Sequence, residues 1–398
     1  MTAVAWALTV AAAAFVGYTY ALYPLVLKLL PSEGRDPDGA SSGDGVAPPG
    51  GWPSISITVP VHDEAEQVRD TIESLLRVDY PADRRQILFV SDASTDGTDE
   101  IVREYADRGV ELLRVESRGG KTAAENAARE HLTGQIVVNT DASIRLQPDA
   151  VRALVRRFED PAVGVASGRD VSAGSEASDR NVGESGYVGY EMWVRGLETR
   201  AGGIVGASGS LYAIRRSLHQ YDLPPALSRD FAAALVAREQ GYRAVSVPEA
   251  VCVVPRTGSL RSEYGRKVRT MLRGIATLAY ERHLLNPREH GRFAWMLFSH
   301  KVCRWLVPWW LVVGVIGAAG LAVTLPAARI AVGLVGAGVL LGAVGWLWPE
   351  GRRVPRLLSI PAFGLVANAA ALAAGLRAVR GELHAVWEPT RRDLPCAP

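Results

Sequence analysis

The chain is apolar and uncharged from about Val4 to Leu27, and again near its other end over Leu306 to Leu325, Ile330 to Trp348 and Leu357 to Leu376. Each run is long enough to cross the ~30 Å hydrocarbon layer as a helix. No basic residue precedes the first run, and it exceeds the apolar core of a cleaved leader, so it reads as an anchor. Gly and Ala abound in the three later runs, which suits close helix packing in lipid. Trp305, Trp309, Trp310, Trp346 and Trp348 lie near their ends, where indoles favour the membrane–water boundary. Membrane lipid is therefore an expected partner. The stretch 291–306 mixes Phe293, Trp295, Met296, Leu297 and Phe298 with His300, Lys301 and Arg304, a pattern that suits a helix lying in the interface. A buried helix of the soluble domain has the same composition.

These runs account for the misleading averages of the whole chain, a mean hydropathy of +0.07 with 22% charged residues over 398 positions. A net charge of +2 offers no dense basic surface, so no nucleic-acid partner is expected. Cys252, Cys303 and Cys396 are too widely spaced for a metal motif or a disulfide framework and read as inert thiols of a reducing compartment. Lys28 and Arg35 follow the first apolar run closely, which puts the middle of the chain in the cytoplasm by the positive-inside rule. Arg352, Arg353 and Arg356 agree. The tail, with Arg377, Arg380, Arg391 and Arg392, does not: either the rule fails there or one run does not fully cross.

The expected organisation is an anchor (1–30), a linker rich in Gly, Ser, Asp and Pro (31–53), a soluble domain (54–290), an interfacial helix (291–306), membrane helices (307–380) and a tail (381–398). Within the soluble domain, apolar runs at Ile55–Val59, Ile87–Val90, Val110–Val115 and Gln135–Asn139 read as strands. Helical patterns separate them, which predicts an α/β fold with a mostly parallel sheet and right-handed crossovers.

Polar motifs sit where these strands run into loops, the place where open α/β sheets bind nucleotides and phosphates. Pro60-Val61-His62-Asp63-Glu64 follows the first strand; its acids serve a ligand or simply cap the next helix. Asp92 comes straight after the second strand, ahead of a turn with Asp96 and Gly97; a turn and helix cap explains Asp96 and Gly97 well but Asp92 less readily. Gly119-Gly120-Lys121 opens a helix, where backbone N–H groups and an ammonium suit a phosphate, although it lacks the Walker A spacing. Thr140-Asp141-Ala142-Ser143 follows the fourth strand, and Ser228-Arg229-Asp230 starts a later amphipathic helix.

In this order the five motifs resemble the family 2 glycosyltransferases, and the likeness extends loosely from Ile55 to the tail. The resemblance implies a Rossmann-like fold of the GT-A type, one N-terminal and about three C-terminal transmembrane helices, and an inverting transfer of sugar. The donor would be a nucleotide diphosphate sugar, most commonly UDP-linked, and the acceptor a lipid-linked glycan or growing polysaccharide. It gives Pro60 and Glu64 the lining of the base pocket, Asp92 a hydrogen bond to the base, and Lys121 the phosphates. Asp141 would hold a divalent metal, Mg²⁺ or Mn²⁺. Gly209 and Ser210, in the small-residue loop Gly206 to Tyr212, would form the floor beneath the sugars, and Asp230 would be the catalytic base. Arg266 and Arg269 would face the diphosphate. Several positions depart from the family pattern: His62 and Asp63 replace its usual Tyr-Asn, Ser143 replaces the second Asp of Asp-x-Asp, and Arg229 stands where an acid is usual. Arg266 and Thr270 replace the Gln and Trp of Gln-x-x-Arg-Trp, which removes an argument for long-chain processivity. Two other readings stay open, a polyprenyl-phosphate acceptor, whose oxygen needs no base, and a scaffold whose metal site has decayed.

Overall fold

The computed structural model describes residues 2–33, 48, 50–172, 182–254, 260–349 and 354–382. Most of the expected linker, the loop carrying Arg352 and Arg353, and the tail beyond residue 382 lie outside the described residues. The N-terminal apolar run is a helix, α1 (Thr2–Gly17) continuing through a π turn into α2 (Tyr23–Leu29). The soluble part follows as β1 (Ile55–Val61), α3 (Ala65–Leu76), β2 (Arg85–Asp92), α4 (Thr98–Arg103), β3 (Val110–Val115), α5 (Lys121–Ala128), β4 (Ile136–Thr140), β5 (Arg145–Leu146) and α6 (Ala150–Arg156). It continues with β6 (Val163–Ser172), α7 (Val182–Ala201), β7 (Leu211–Arg215), α8 (Arg216–His219), α9 (Arg229–Glu239), β8 (Arg243–Val254) and α10 (Leu260–Tyr280). The last helices are α11 (Pro287–Leu297), α12 (Cys303–Ala322), α13 (Pro326–Trp346) and α14 (Arg356–Val379).

The eight strands among the described residues form one sheet in the order β3-β2-β1-β4-β7-β6-β8-β5. The half β3-β2-β1-β4 is parallel, as alternating strands and helices require, whereas β7 runs antiparallel to both β4 and β6. The sheet is therefore mixed. Strands β1, β2 and β4 are buried on both faces, so they read as continuous apolar runs and not as alternating ones. Ile57, Val59, Ile72, Phe89 and Val138 fill one side, while Val90, Ala124, Val137 and Tyr212 fill the other.

Among the described residues, four helices are long and apolar enough to cross a membrane, over Thr2–Leu29, Pro287–Ala322, Pro326–Trp346 and Arg356–Val379. Small residues let them touch. A Cβ on Gly317 of α12 would stand 2.6 Å from the Thr9 hydroxyl of α1. One on Gly345 of α13 would stand 2.8 Å from the Leu358 carbonyl of α14. The stretch 291–306 departs from the interfacial helix expected of it. It joins α11 to α12 through a π turn, and Phe293, Met296 and Leu297 are buried against Tyr23, Val194, Phe231 and Leu235. Its cations turn inward as well: His300 lies 2.5 Å from Glu198 and 3.1 Å from Glu191, and Arg304 pairs with Glu191. Two carboxylates of α7, Glu198 buried and Glu191 partly so, supply the counter-charges that lipid phosphate was expected to supply, because burial of a cation requires a partner. Part of the linker is also held: the Glu33 N–H donates to the Arg200 carbonyl at 2.7 Å, and Arg292 pairs with the Glu33 carboxylate at 2.9 Å.

Candidate active site

The parallel half of the sheet delivers the motifs to one edge. In register, Val61 of β1 lies beside Ser91 of β2, which places the Pro60–Glu64 loop against the loop after Asp92. The two loops lock together. His62, buried, bonds through Nδ1 to the Asp92 carbonyl at 2.7 Å, and the Thr95 N–H donates to Asp63 at 2.7 Å. Asp63 and Ala93 both have positive φ, the backbone cost of that interlock. Asp96 caps two helices at once, accepting from the Ala65 N–H at 2.9 Å and the Thr98 N–H at 3.0 Å. Burial acts to raise its pKa, but these bonds and that of the Thr98 hydroxyl hold it below the usual range. Glu64, buried, accepts from Gln67 at 3.1 Å, and its own N–H donates to the Thr98 hydroxyl at 2.9 Å. Pro60 lies within β1 beside Val90.

Asp92 is buried, and its carboxylate accepts from the Gly119 and Gly120 N–H groups, each at 2.8 Å. It thus fixes the glycine loop from below. A carboxylate offers about four lone-pair sites, so two remain for a ligand. Gly120 has φ of +88°, which an L side chain adopts only with strain, and it launches α5 with Lys121 at the first position. Asn126, further along α5, holds the loop before α9 by donating to the Leu223 carbonyl at 2.7 Å.

Antiparallel pairing of β4 with β7 sets Thr140 opposite Leu211, and this brings Asp141 next to the small-residue loop. The Lys121 ammonium bonds Asp141 at 2.5 Å and the Gly209 carbonyl at 3.3 Å. Burial alone would lower the Lys121 pKa, but Asp141, Glu125 and Asp230 raise it well above its usual value. Asp230 completes the group. Its Oδ2 lies only 2.6 Å from where a Cβ on Gly209 would stand, and its Oδ1 accepts from the Ser228 hydroxyl. Gly209 is thus glycine because the carboxylate occupies the space of a side chain. Lys121, Asp141, Gly209 and Asp230, read separately in sequence, converge here.

The remaining residues stand differently. Ser210 donates to Asp170 of β6 at 3.2 Å, and its carbonyl accepts from Thr140 at 2.9 Å. Arg266 engages Glu263 one turn back along α10, at 2.9 and 2.6 Å, and Arg269 lies between Arg266 and Arg273 on that helix. It is Arg273 that reaches the start of α9, donating to the Thr122 hydroxyl at 2.7 Å and the Leu227 carbonyl at 2.5 Å. Three contributors were not singled out in sequence. Asp170 anchors the floor loop by accepting from Ser208 at 2.9 and 3.0 Å, and no motif marks it. Arg273 lies four residues beyond Arg269 and shares its helix face, a visible signal. Glu125 is one turn from Lys121 in an otherwise Ala-rich helix, and that spacing also puts it on the same face.

The hard oxygen of Asp141 suits Mg²⁺ or Mn²⁺, which keep several waters and use one or two carboxylates beside substrate phosphates. Asp141 is one-quarter exposed, which leaves a face open to such an ion, but its Oδ1 is engaged by Lys121. The cluster Glu239, Glu281 and His283, also of metal-ligating types, lies at the far end of α9.

Residues 56–221 match the family model described as Glycosyl transferase family 2. An N-acetylglucosaminyltransferase of Mesorhizobium japonicum is 30% identical over 241 residues, 54% of this chain and 55% of that protein. A beta-monoglucosyldiacylglycerol synthase of Nostoc sp. is 26% identical over 171 residues, 42% of this chain and 36% of that protein. The chain spans about half the length of the curated relatives it matches. Among solved structures, a mannosyltransferase from Pyrobaculum calidifontis, in complex with GDP-Man and Mn²⁺, superposes with a TM-score of 0.70 at 24% identity. The match covers 96% of this chain and 99% of that one, a likeness in fold that includes the apolar helices.

Proposed function

We propose, from the Glycosyl transferase family 2 domain that the chain carries, that it moves a sugar from a nucleotide diphosphate sugar to a membrane-associated acceptor with inversion. The observation that carries this reading is the convergence of Lys121, Asp141, Gly209 and Asp230 at one sheet edge. In the transfer, an acceptor oxygen bonds the anomeric carbon while the bond from that carbon to the diphosphate oxygen breaks. Asp230 takes the acceptor's proton, the task of a positioned carboxylate general base. Lys121 and the α5 N-terminus stabilise the departing diphosphate. Asp141 would hold the divalent cation, Mg²⁺ or Mn²⁺, whose contribution is to neutralise charge on the leaving group. Pro60, Glu64 and Asp92 border the base pocket, with UDP as the preferred donor class, and Gly209 and Ser210 form the floor. Arg266 and Arg269 approach the diphosphate from α10.

An acceptor at the membrane face, lipid-linked or a growing polysaccharide, accords with the way the apolar helices join the site. Phe231, next to Asp230, meets the Trp305 ring edge-on at 6.4 Å between centroids. With the middle domain cytoplasmic, the acceptor would be reached from the inner face of a cell membrane. The test is nucleotide diphosphate release by the detergent-purified full chain from UDP-, GDP- and ADP-sugars, with Mn²⁺ and a membrane lipid extract. Release from one donor class, lost in Asp141→Asn and in Asp230→Asn, is expected; equal release by both variants would overturn the site.

A further inference from the structure

Glu125 is 1% exposed, and neither of its carboxylate oxygens has a hydrogen-bond partner among the described residues. Its nearest cation is Arg229 Nε at 3.9 Å, itself buried and unpartnered, and the Tyr212 hydroxyl is a third orphan in the same patch. A buried polar group left unpaired costs about 1–3 kcal/mol, and more when charged. The ion pair with Arg229 at 3.9 Å leaves both Glu125 oxygens without a hydrogen bond, a place that a donor one turn away on α5 can fill. The group best able to supply that pairing is Lys121, because residues four apart on a helix share a face with Cβ atoms about 5–6 Å apart. Lys121 now spends its ammonium on Asp141. A divalent cation on Asp141 would repel the like-charged ammonium that Lys121 holds against its Oδ1.

We infer that Glu125 is the second seat of Lys121: when a divalent cation takes Asp141, the ammonium swings back along α5 to Glu125. The inference rests on the metal role of Asp141 in the proposed function. Glu125 is then a positioning residue. It makes Lys121 cheap to displace, and it keeps the ammonium beside the departing diphosphate instead of releasing it to water. Burial, first, and then Asp230 and Asp141 push the Glu125 carboxyl up, against Lys121 and Arg229. A cation arriving at Asp141 and an approaching ammonium both favour its charged form.

The test is Mn²⁺ binding to the full chain, read by the electron paramagnetic resonance of free Mn²⁺, in wild type, Glu125→Gln, Lys121→Met and the double variant. Without its second seat Lys121 competes for Asp141, so Glu125→Gln is expected to bind Mn²⁺ about tenfold more weakly. In the Lys121→Met background the same change is expected to alter binding less than twofold. A tenfold loss that persists in that background would be a simple field effect of the lost charge and would overturn the hand-over. Equal binding by Glu125→Gln and wild type would overturn it too, while leaving the metal role of Asp141 standing. No Mn²⁺ binding by wild type would remove both. Unchanged thermal unfolding of Glu125→Gln separates these outcomes from misfolding.

Discussion

Replacing Asp92 by Asn separates two jobs that one carboxylate can do. In the structure both oxygens accept backbone N–H groups, from Gly119 and Gly120 at 2.8 Å each. Asn is nearly isosteric but carries one oxygen, so one glycine N–H would face an NH₂ group. A hydrogen bond to a charged group is worth about 1.5–3 kcal/mol, and an orphaned buried donor costs about 1–3 kcal/mol. Allowing for relaxation, the loop loses about 2–4 kcal/mol, which is about 30- to 1,000-fold in its opening equilibrium. Amide hydrogen exchange, followed by mass spectrometry on the peptide spanning residues 116–124, should accelerate by that factor while β1 and β4 stay protected. Nucleotide binding should weaken with it, because α5 is no longer presented. If exchange is unchanged and only nucleotide affinity falls, Asp92 acts on the base alone, and the loop-fixing account is wrong.

Other consequences follow from the same geometry. Gly209→Ala should displace Asp230, whose Oδ2 stands 2.6 Å from the new Cβ, and lower kcat by more than about tenfold with donor affinity retained; steady-state kinetics would check this. Arg273→Lys should free the start of α9, which now hangs on the Leu227 carbonyl and Thr122, and cost about 1–3 kcal/mol in thermal or denaturant unfolding. Burial would raise the Glu263 carboxyl, but the bonds and charges of Arg266 and Lys267 overcome it and hold it at about 2. Its folded pKa is therefore depressed. The stability it adds is complete above its unfolded value, about 4.3, and is lost as pH falls toward 2. Glu263→Gln should flatten that acid limb in a pH series of unfolding midpoints. Burial, reinforced by Asp170, pushes the Cys252 thiol far up, so iodoacetamide should label it only after unfolding.

Much of the architecture was legible because buried parallel strands announce themselves. The third strand was read at Val110–Val115 and found there, and the others moved by one or two residues. Three of the apolar runs became helices within a few residues of their expected ends, while the run expected from Leu306 is the end of a continuous helix that begins at Pro287. What periodicity could not convey was partnership. The stretch 291–306 is amphipathic either against lipid or against protein, and the deciding groups, Glu191 and Glu198, lie about 100 residues earlier on α7. The antiparallel β7 was hidden for a similar reason: its small-residue approach reads as a loop, and only pairing with β4 gives it direction. At the site, strand-end motifs were visible because polar residues interrupt apolar runs. Asp170 was invisible because it extends a strand without interrupting it, and its role depends on Ser208 and Ser210, which reach it from the floor loop.

In the proposed transfer, Asp230 removes a proton from the acceptor at a site that binds the donor without it. Single-turnover transfer and donor binding should be measured together in wild type and Asp230→Asn, using the donor and lipid fraction that support release. Donor affinity within about threefold of wild type is expected, with a rate reduced by about 10²- to 10⁴-fold, the span of general-base contributions. Transfer at the wild-type rate in Asp230→Asn would contradict it, and would point to an acceptor oxygen that arrives already ionised, as a lipid phosphate does.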